Sequence, residues 1–115
     1  LDARERLVLV PVIAAMLALG LAPGVNMSDT LAFYEATHGT APAIAGKDKA
    51  NPGSVILCGA LLLEHLGVPG GARRIRRAVE EVIAGKAVTE DLATQVSGAR
   101  VVGCAEFGEI IGSRL

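Results

Sequence analysis

The residues best suited to chemistry lie in one Gly- and Pro-rich stretch, Phe33–Ser54. His38 offers a flat ring with a titratable nitrogen, and Asn51 offers a donor and an acceptor side by side, the pattern that pairs with an adenine edge. Gly39 and Gly46 let a ligand approach the backbone closely. The stretch has neither the Gly-Lys-Ser/Thr of a Walker loop nor the G-x-G-x-x-G of a Rossmann turn. These residues leave two interpretations open, a nucleotide-binding loop of another kind and a plain surface loop.

Other reactive side chains form no recognisable site in the sequence. Cys58 and Cys104 lie far apart without metal-type spacing, so they predict neither a zinc site nor a disulfide framework and suit a reducing compartment. The arginines of residues 73–77 are typical of a solvated helix face with pairs such as Arg76–Glu80, rather than of a phosphate-binding cluster.

Composition restricts the function classes further. The chain has 115 residues, enough for one small domain, and 51% of them are hydrophobic, which excludes compositional disorder. Eleven basic and twelve acidic residues give a net charge of -1, so no global charge favours nucleic acid or an acidic membrane surface. Aromatic residues make up only 3%, which excludes a base-stacking surface as the main function.

Hydrophobic patterning predicts the elements that lead into the loop. Residues Ala3–Leu19 are predicted to form an apolar helix, kinked at Pro11. Gly20–Asn26 is predicted to form a short strand, and Leu31–Tyr34 a buried strand. Glu35–Gly53 has no clear period and must be a loop, and a loop this long in a compact domain is usually functional or disordered.

Three helices are predicted after the loop. Ser54 is a candidate N-cap for a buried helix over Val55–Leu66, which ends at Gly67. Pro69 begins a second, amphipathic helix, and Cys104–Ile111 is predicted to form a short terminal helix. The apolar positions of the second helix follow the helical period at Ala72, Ile75, Val79, Val82 and Ile83.

The apolar run Leu7–Val25 also admits two interpretations. It carries no charge, follows Arg4 and Arg6, and is about long enough to span a bilayer, which is typical of a membrane or signal segment. Pro11 interrupts it and no A-x-A cleavage pattern follows, which favours a buried helix and a buried strand. The membrane interpretation belongs to an alternative function, a non-catalytic truncated remnant associated with a membrane through residues 7–25.

Two adjoining motifs resemble the cofactor loop of the isocitrate/isopropylmalate dehydrogenase family: Glu35-Ala-Thr-His-Gly-Thr-Ala-Pro and Ala45-Gly-Lys-Asp-Lys-Ala-Asn-Pro-Gly-Ser-Val-Ile-Leu. Three further motifs resemble the bacterial isocitrate dehydrogenase branch of that family: Gly20-Leu-Ala-Pro-Gly, Leu63-Glu-His-Leu-Gly and Cys104-Ala-Glu-Phe-Gly-Glu-Ile-Ile. The resemblance runs from about Gly20 to the last residue and covers only the last part of the family's much longer chain.

The resemblance implies an α/β fold, namely the C-terminal portion of the family's large domain, with short strands plus three or four helices. Residues 20–115 would form this portion and 35–53 its cofactor loop, while 1–19 would be an apolar helical junction that diverges from the family. The implied activity is oxidative decarboxylation of isocitrate to 2-oxoglutarate in the tricarboxylic acid cycle, with NADP or NAD and with Mg or Mn. The implied assembly is a homodimer. Composition and cysteine usage predict in addition a cytoplasmic protein that binds no nucleic acid.

The resemblance also assigns cofactor contacts to particular residues. His38 would lie beside the adenine, Asn51 would hydrogen-bond its edge, and Glu35 would lie near the cofactor cleft. The residues expected to bind the cofactor are Glu35, His38, Gly39, Thr40, Ala41, Pro42, Ala43, Ile44 and Asn51.

Four positions that the family uses to distinguish NADP from NAD carry unusual residues here. NADP-dependent relatives have Lys-Tyr and then Tyr and Arg where this chain has Ala43, Ile44, Glu90 and Thr94. None of these four supplies a cation for a 2′-phosphate, and Glu90 would repel one. NAD-dependent relatives have Asp-Ile, and only Ile44 matches. The residues therefore favour NAD or weak binding of both, whereas the branch favours NADP.

The resemblance predicts no metal ligand and no catalytic residue in this chain. The family's metal-binding aspartates fall on Arg6 and Val10, neither of which ligates Mg. The family's catalytic Lys and Tyr and its substrate-binding Ser and Arg residues would lie upstream. We therefore expect the chain alone to be inactive.

Overall fold

The computed structural model describes residues 21–115 of the chain. The predicted helix Ala3–Leu19, the divergent junction 1–19 and positions Arg6 and Val10 lie outside the described residues. Among the described ones, no helix is long and apolar enough to cross a membrane. The last residue of the apolar run, Val25, lies in a strand.

The described residues form short strands and four helices. In chain order the elements are β1 (Pro23–Met27), β2 (Ala32–Ala36), α1 (Gly53–His65), α2 (Pro69–Ala84), β3 (Ala87–Val88), α3 (Glu90–Ala93), β4 (Arg100–Val101) and α4 (Cys104–Gly112). β1 and β2 form an antiparallel hairpin in which Val25 lies opposite Tyr34. β3 and β4 pair in parallel, with Val88 opposite Val101. The predicted mixed α/β class with short strands and three or four helices is confirmed.

The hairpin is less buried than the sequence predicted. Leu31 is 77% exposed and Phe33 60% exposed, so the prediction of a buried strand over Leu31–Tyr34 is wrong. In β2, alternate side chains face opposite sides, and Tyr34 is half-buried beside the ring of His65 on α1, with the ring centroids 6.1 Å apart. An apolar run of four residues does not distinguish a strand buried on both faces from one covered on a single face.

Helix α1 begins and ends differently from its predicted form. Ser54 lies inside the first turn and makes no N-cap hydrogen bond, so that prediction is wrong. At the other end Gly67, with φ of +78°, donates to the carbonyl of Glu64, and Val68 donates to that of Leu63. This is a Schellman termination, which requires a residue with positive φ, so glycine is the natural choice. The end predicted at Gly67 is confirmed.

Helix α1 is also only partly buried. Val55 is 56% exposed and Leu62 is 41% exposed, although the helix is apolar almost all round. The prediction of a buried helix is therefore wrong for these residues.

Helix α2 has the predicted amphipathic form and begins at Pro69. Arg76 pairs with Glu64 of α1 rather than with Glu80, and the Arg76 guanidinium lowers the pKa of the Glu64 carboxyl. Arg77 bonds Glu81 one turn later at 2.8 Å and likewise lowers the pKa of that carboxyl. Because both pKa values are lowered by folding, these ion pairs contribute stability above the unfolded carboxyl pKa and lose it as the solution is acidified.

The main hydrophobic core lies between α2, the β3–β4 pair and α4. Phe107 is fully buried at its centre. The buried residues of this cluster are Ala78, Val79, Val82, Ala87, Val102, Phe107 and Ile111. A smaller cluster of Leu21, Val88 and Leu92 lies beside it, so α3 is attached to the same body as the strands.

The hydroxyl of Ser54 joins three parts of the chain. It is fully buried, accepts the N–H of Thr37 at 3.3 Å and donates to the carbonyl of Ala22 at 2.7 Å. Thr37 donates its own hydroxyl to the same carbonyl at 2.7 Å. The residue before β1, the residue after β2 and the first turn of α1 are therefore held at one point.

We predict that Ser54→Ala destabilises the chain by about 1–3 kcal/mol, because it removes the partner of the Thr37 N–H and a donor to the Ala22 carbonyl. Urea unfolding followed by circular dichroism measures the change. Ser97→Ala, at an exposed position, is the matched control, expected to change stability by less than about 0.5 kcal/mol. Equal unfolding midpoints for the two variants would contradict the role of the Ser54 hydroxyl.

Candidate functional site

The loop of residues 37–52, between β2 and α1, folds as a series of tight turns. Ile44 donates its N–H to the carbonyl of Ala41 at 3.0 Å, and Lys47 donates to that of Ile44 at 3.1 Å. Ala41, with φ of +42°, and Asp48, with φ of +55°, adopt the left-handed conformation that side chains disfavour. The loop thus keeps a defined and locally strained path, as expected of a loop that is stabilised by contacts with the rest of the chain.

This loop lines most of an open cleft of about 380 Å³. That volume lies in the range of small-molecule sites. The residues that line it are His38, Gly39, Thr40, Ala41, Ile44, Ala45, Gly46, Asp48, Lys49, Ala50, Asn51, Asp91 and Cys104.

The structure brings together most of the residues expected to bind the cofactor. His38, Thr40, Ile44 and Asn51 line the cleft together with the backbone at Gly39 and Ala41. Three of the expected residues, Glu35, Pro42 and Ala43, do not line it. The carbonyl of Glu35 accepts from the Cys58 thiol at 3.0 Å, so this residue lies at the contact between β2 and α1.

The Asn51 amide is held from both sides. Its Oδ1 accepts the N–H of Gly53 at 2.8 Å, and its Nδ2 donates to Asp91 Oδ2 at 3.0 Å. Asp91 is fixed in turn because its Oδ1 accepts the hydroxyl of the fully buried Thr89 at 2.6 Å. An amide keeps a second N–H and a second oxygen lone pair after two such bonds. Asn51 can therefore still offer one donor and one acceptor to a ligand.

His38 presents one ring nitrogen to its own loop. Nδ1 lies 2.9 Å from the carbonyl oxygen of Gly39. Because a carbonyl oxygen can accept a hydrogen bond but cannot donate one, Nδ1 carries the proton in the tautomer that makes this bond. In the neutral ring, Nε2 then remains an acceptor. His38 is exposed and lines the cleft.

Asp48 attaches the loop to the start of α4. Its Oδ1 accepts the N–H of Ala105 at 2.9 Å, and its backbone carbonyl accepts the N–H of Cys104 at 2.9 Å. The carboxylate thus satisfies an N–H of the first turn that has no partner within the helix, at the positive end of the helix dipole. An added Cβ at Gly103 would approach the Asp48 carbonyl oxygen to 2.9 Å, so glycine permits this close approach.

The cleft wall also contains a lysine that is not among the four positions expected to distinguish NADP from NAD. Lys49 lines the cleft, and its Nζ lies 3.2 Å from Glu90 Oε2. Glu90 is the first residue of α3 and Thr94 is the cap at its end, and neither lines the cleft itself. Of the expected specificity positions, only Ile44 is part of the wall.

Sequence reasoning missed Asp48, Lys49, Asp91 and Cys104 as residues of this cleft. Asp91 and Cys104 lie on elements far from the loop along the chain, and no local pattern indicates that they approach it. The one signal for Asp91 was that it follows Glu90, which is one of the specificity positions expected from the sequence. Within residues 21–115, no three His, Cys, Asp or Glu side chains are grouped so that they could hold a metal ion.

Residues 12–111 match the family model described as isocitrate/isopropylmalate dehydrogenase. The chain is 47% identical over 100 residues to the isocitrate dehydrogenase [NADP] of Helicobacter pylori, covering 86% of this chain and 24% of the relative. It is 44% identical over 97 residues to the enzyme of the same name from Pseudomonas aeruginosa, covering 84% of this chain and 23% of the relative. The crystal structure of isocitrate dehydrogenase from Methylococcus capsulatus matches with a TM-score of 0.75 and 48% identity, covering 84% of this chain and 27% of that one. The chain thus spans about a quarter of the length of these relatives.

We predict that Gly103→Ala destabilises the chain by about 1–3 kcal/mol, because the new methyl group displaces Asp48 from the start of α4. The free energy of unfolding in urea checks this. Gly108→Ala lies within α4, which follows Gly103; its new methyl group meets no atom within 4 Å, and the variant is expected to be more stable by about 0.5–1 kcal/mol. If Gly103→Ala were as stable as the parent chain or more stable, the contact between loop and helix would not restrict residue 103.

Proposed function

The chain belongs to the isocitrate/isopropylmalate dehydrogenase family, and we propose that it supplies the adenosine-binding part of the dinucleotide site of an isocitrate dehydrogenase. The observation that supports this proposal is the position of Asn51. It lies in the wall of a cleft of about 380 Å³ together with His38, and its amide is held by Asp91 with one donor and one acceptor still free.

The described residues fit the adenosine half of a nicotinamide dinucleotide. The remaining amide N–H and oxygen lone pair of Asn51 match the donor and acceptor on the edge of adenine. The His38 ring provides a flat surface beside it. The backbone at Gly39 is open, because an added Cβ there would meet nothing within 4 Å. These residues would bind and orient the nucleotide, and the nicotinamide at its far end is what accepts a hydride.

The activity of the whole enzyme belongs to this proposal and extends beyond the described residues. It would be the oxidation and decarboxylation of isocitrate in the cytoplasm by a homodimer, with NADP or NAD and with Mg or Mn. In this scheme the described residues would bind and position the nucleotide. We therefore propose that the chain alone does not turn over isocitrate.

The name of the two curated relatives, isocitrate dehydrogenase [NADP], supports NADP as the cofactor. The residues at the four specificity positions support NAD instead. Ala43 is exposed and does not line the cleft, and Thr94 is the cap at the end of α3. Glu90 adds a negative charge next to the wall. Neither Ala43 nor Thr94 can provide the positive charge that a 2′-phosphate requires.

We predict that His38→Ala weakens the binding of adenosine 5′-monophosphate by about tenfold, the scale of losing one aromatic contact to a base. The described hydrogen bond of the ring lies within its own loop, so the fold should be retained. The measurement is a titration of the chain followed by chemical-shift changes. Asn51→Ala should weaken binding by a similar factor, and circular dichroism would verify that α1 still forms.

The matched control is Asn26→Ala, which removes an exposed asparagine of β1 and is expected to leave the affinity within about twofold. Equal affinities for the parent chain and both site variants would show that the nucleotide does not bind in this cleft. The absence of any saturable binding by the parent chain would contradict the proposed function itself.

A further inference from the structure

One ion pair joins the loop side of the cleft wall to α3, which lies beside the cleft. Lys49 Nζ lies 3.2 Å from Glu90 Oε2, and the two side chains are 48% and 62% exposed. Among the residues that line the cleft, Lys49 is the only lysine or arginine. The pair is open to solvent, so it is held weakly and a ligand can compete with either partner.

The other charged groups of the wall are negative. Asp48 is engaged at the start of α4, and Asp91 is engaged by Asn51 and Thr89, so both side chains are held in fixed positions. Glu90 neutralises Lys49, which leaves this side of the cleft with excess negative charge. A phosphate in the cleft would face repulsion that the lysine, while paired, does not offset.

Resting on the proposed function, we infer that the Lys49–Glu90 pair determines whether the adenosine ribose can carry a 2′-phosphate. While Glu90 holds the lysine, the cleft selects a nucleotide with a free 2′-hydroxyl. When the carboxylate is removed, the lysine becomes available to the phosphate. Lys49 is thus a specificity-determining residue, and Glu90 acts through it as a positioning residue rather than only as a repelling charge.

The test measures the ratio of two affinities in the 115-residue chain at low salt. The ligands are adenosine 5′-monophosphate and adenosine 2′,5′-bisphosphate, which differ only in the 2′ group. The parent chain is expected to bind the monophosphate at least as tightly as the bisphosphate. In Glu90→Gln the ratio should shift toward the bisphosphate by about tenfold, the scale of removing one charge near a doubly charged group in a water-like medium. High salt should reduce this shift.

The double variant Lys49→Met with Glu90→Gln distinguishes the pair from simple repulsion. If Lys49 holds the phosphate, the gain made by Glu90→Gln is lost in the double variant. If the gain persists without the lysine, Glu90 acts by repulsion alone and the inference is wrong. The matched control Glu81→Gln removes the same charge from the Arg77–Glu81 ion pair, which does not line the cleft, and should leave the ratio unchanged.

The remaining outcomes separate this inference from the proposed function. If both nucleotides bind and the ratio is the same in the parent chain and in Glu90→Gln, the inference fails while the adenosine site stands. A clear preference of the parent chain for the bisphosphate would also overturn it. If neither nucleotide binds, the proposed function fails, and the ion pair has no ligand to select.

Discussion

The buried hydroxyl of Ser54 is the point through which the hairpin, loop 37–52 and helix α1 are held together. It accepts from the backbone of Thr37 and donates to the carbonyl of Ala22, so it satisfies two backbone groups at the junction of three elements. A buried polar group without a partner is costly, so each bond depends on the others being made. The start of the loop is therefore fixed by the packing of α1 against the hairpin.

The far end of the loop is fixed in a different way. Asp48 bonds the first turn of α4, and Asn51 bonds both the start of α1 and Asp91 next to the second core cluster. A loop attached at both ends can keep left-handed residues such as Ala41, whose conformation would be unfavourable in a free chain. The cleft is thus a product of long-range attachment, and its shape does not depend on the loop's own regular structure.

The charged side chains of the cleft are all engaged by other groups of the chain. Its carboxylates are used in structural hydrogen bonds, and its only lysine is paired with an acidic residue of α3. The relatives that carry NADP in their names share 44–47% of their aligned residues with this chain. Overall identity sums over the whole alignment, whereas the charge of this cleft depends on a few residues.

Features encoded by short segments were predictable from the sequence. The helix after the loop, its end at Gly67, the start of α2 at Pro69 and the terminal helix all follow from patterns within one or two turns. The loop itself was predictable because residues 35–53 lack any period. The interpretation of this loop as a cofactor loop came from resemblance and stays a prediction, since its residue types alone left a plain surface loop possible.

The burial of side chains and their hydrogen-bond and ion-pair partners were decided only by the tertiary structure. The exposure of Leu31 and Phe33, the role of Ser54 and the pairing of Arg76 with Glu64 all depend on which surfaces meet. The same holds for Asp91 beside Asn51 and for Glu90 beside Lys49, because these contacts join residues some forty positions apart. Local sequence determines which conformation a segment prefers, but a contact between distant segments forms only when the whole chain packs, and no short pattern records it.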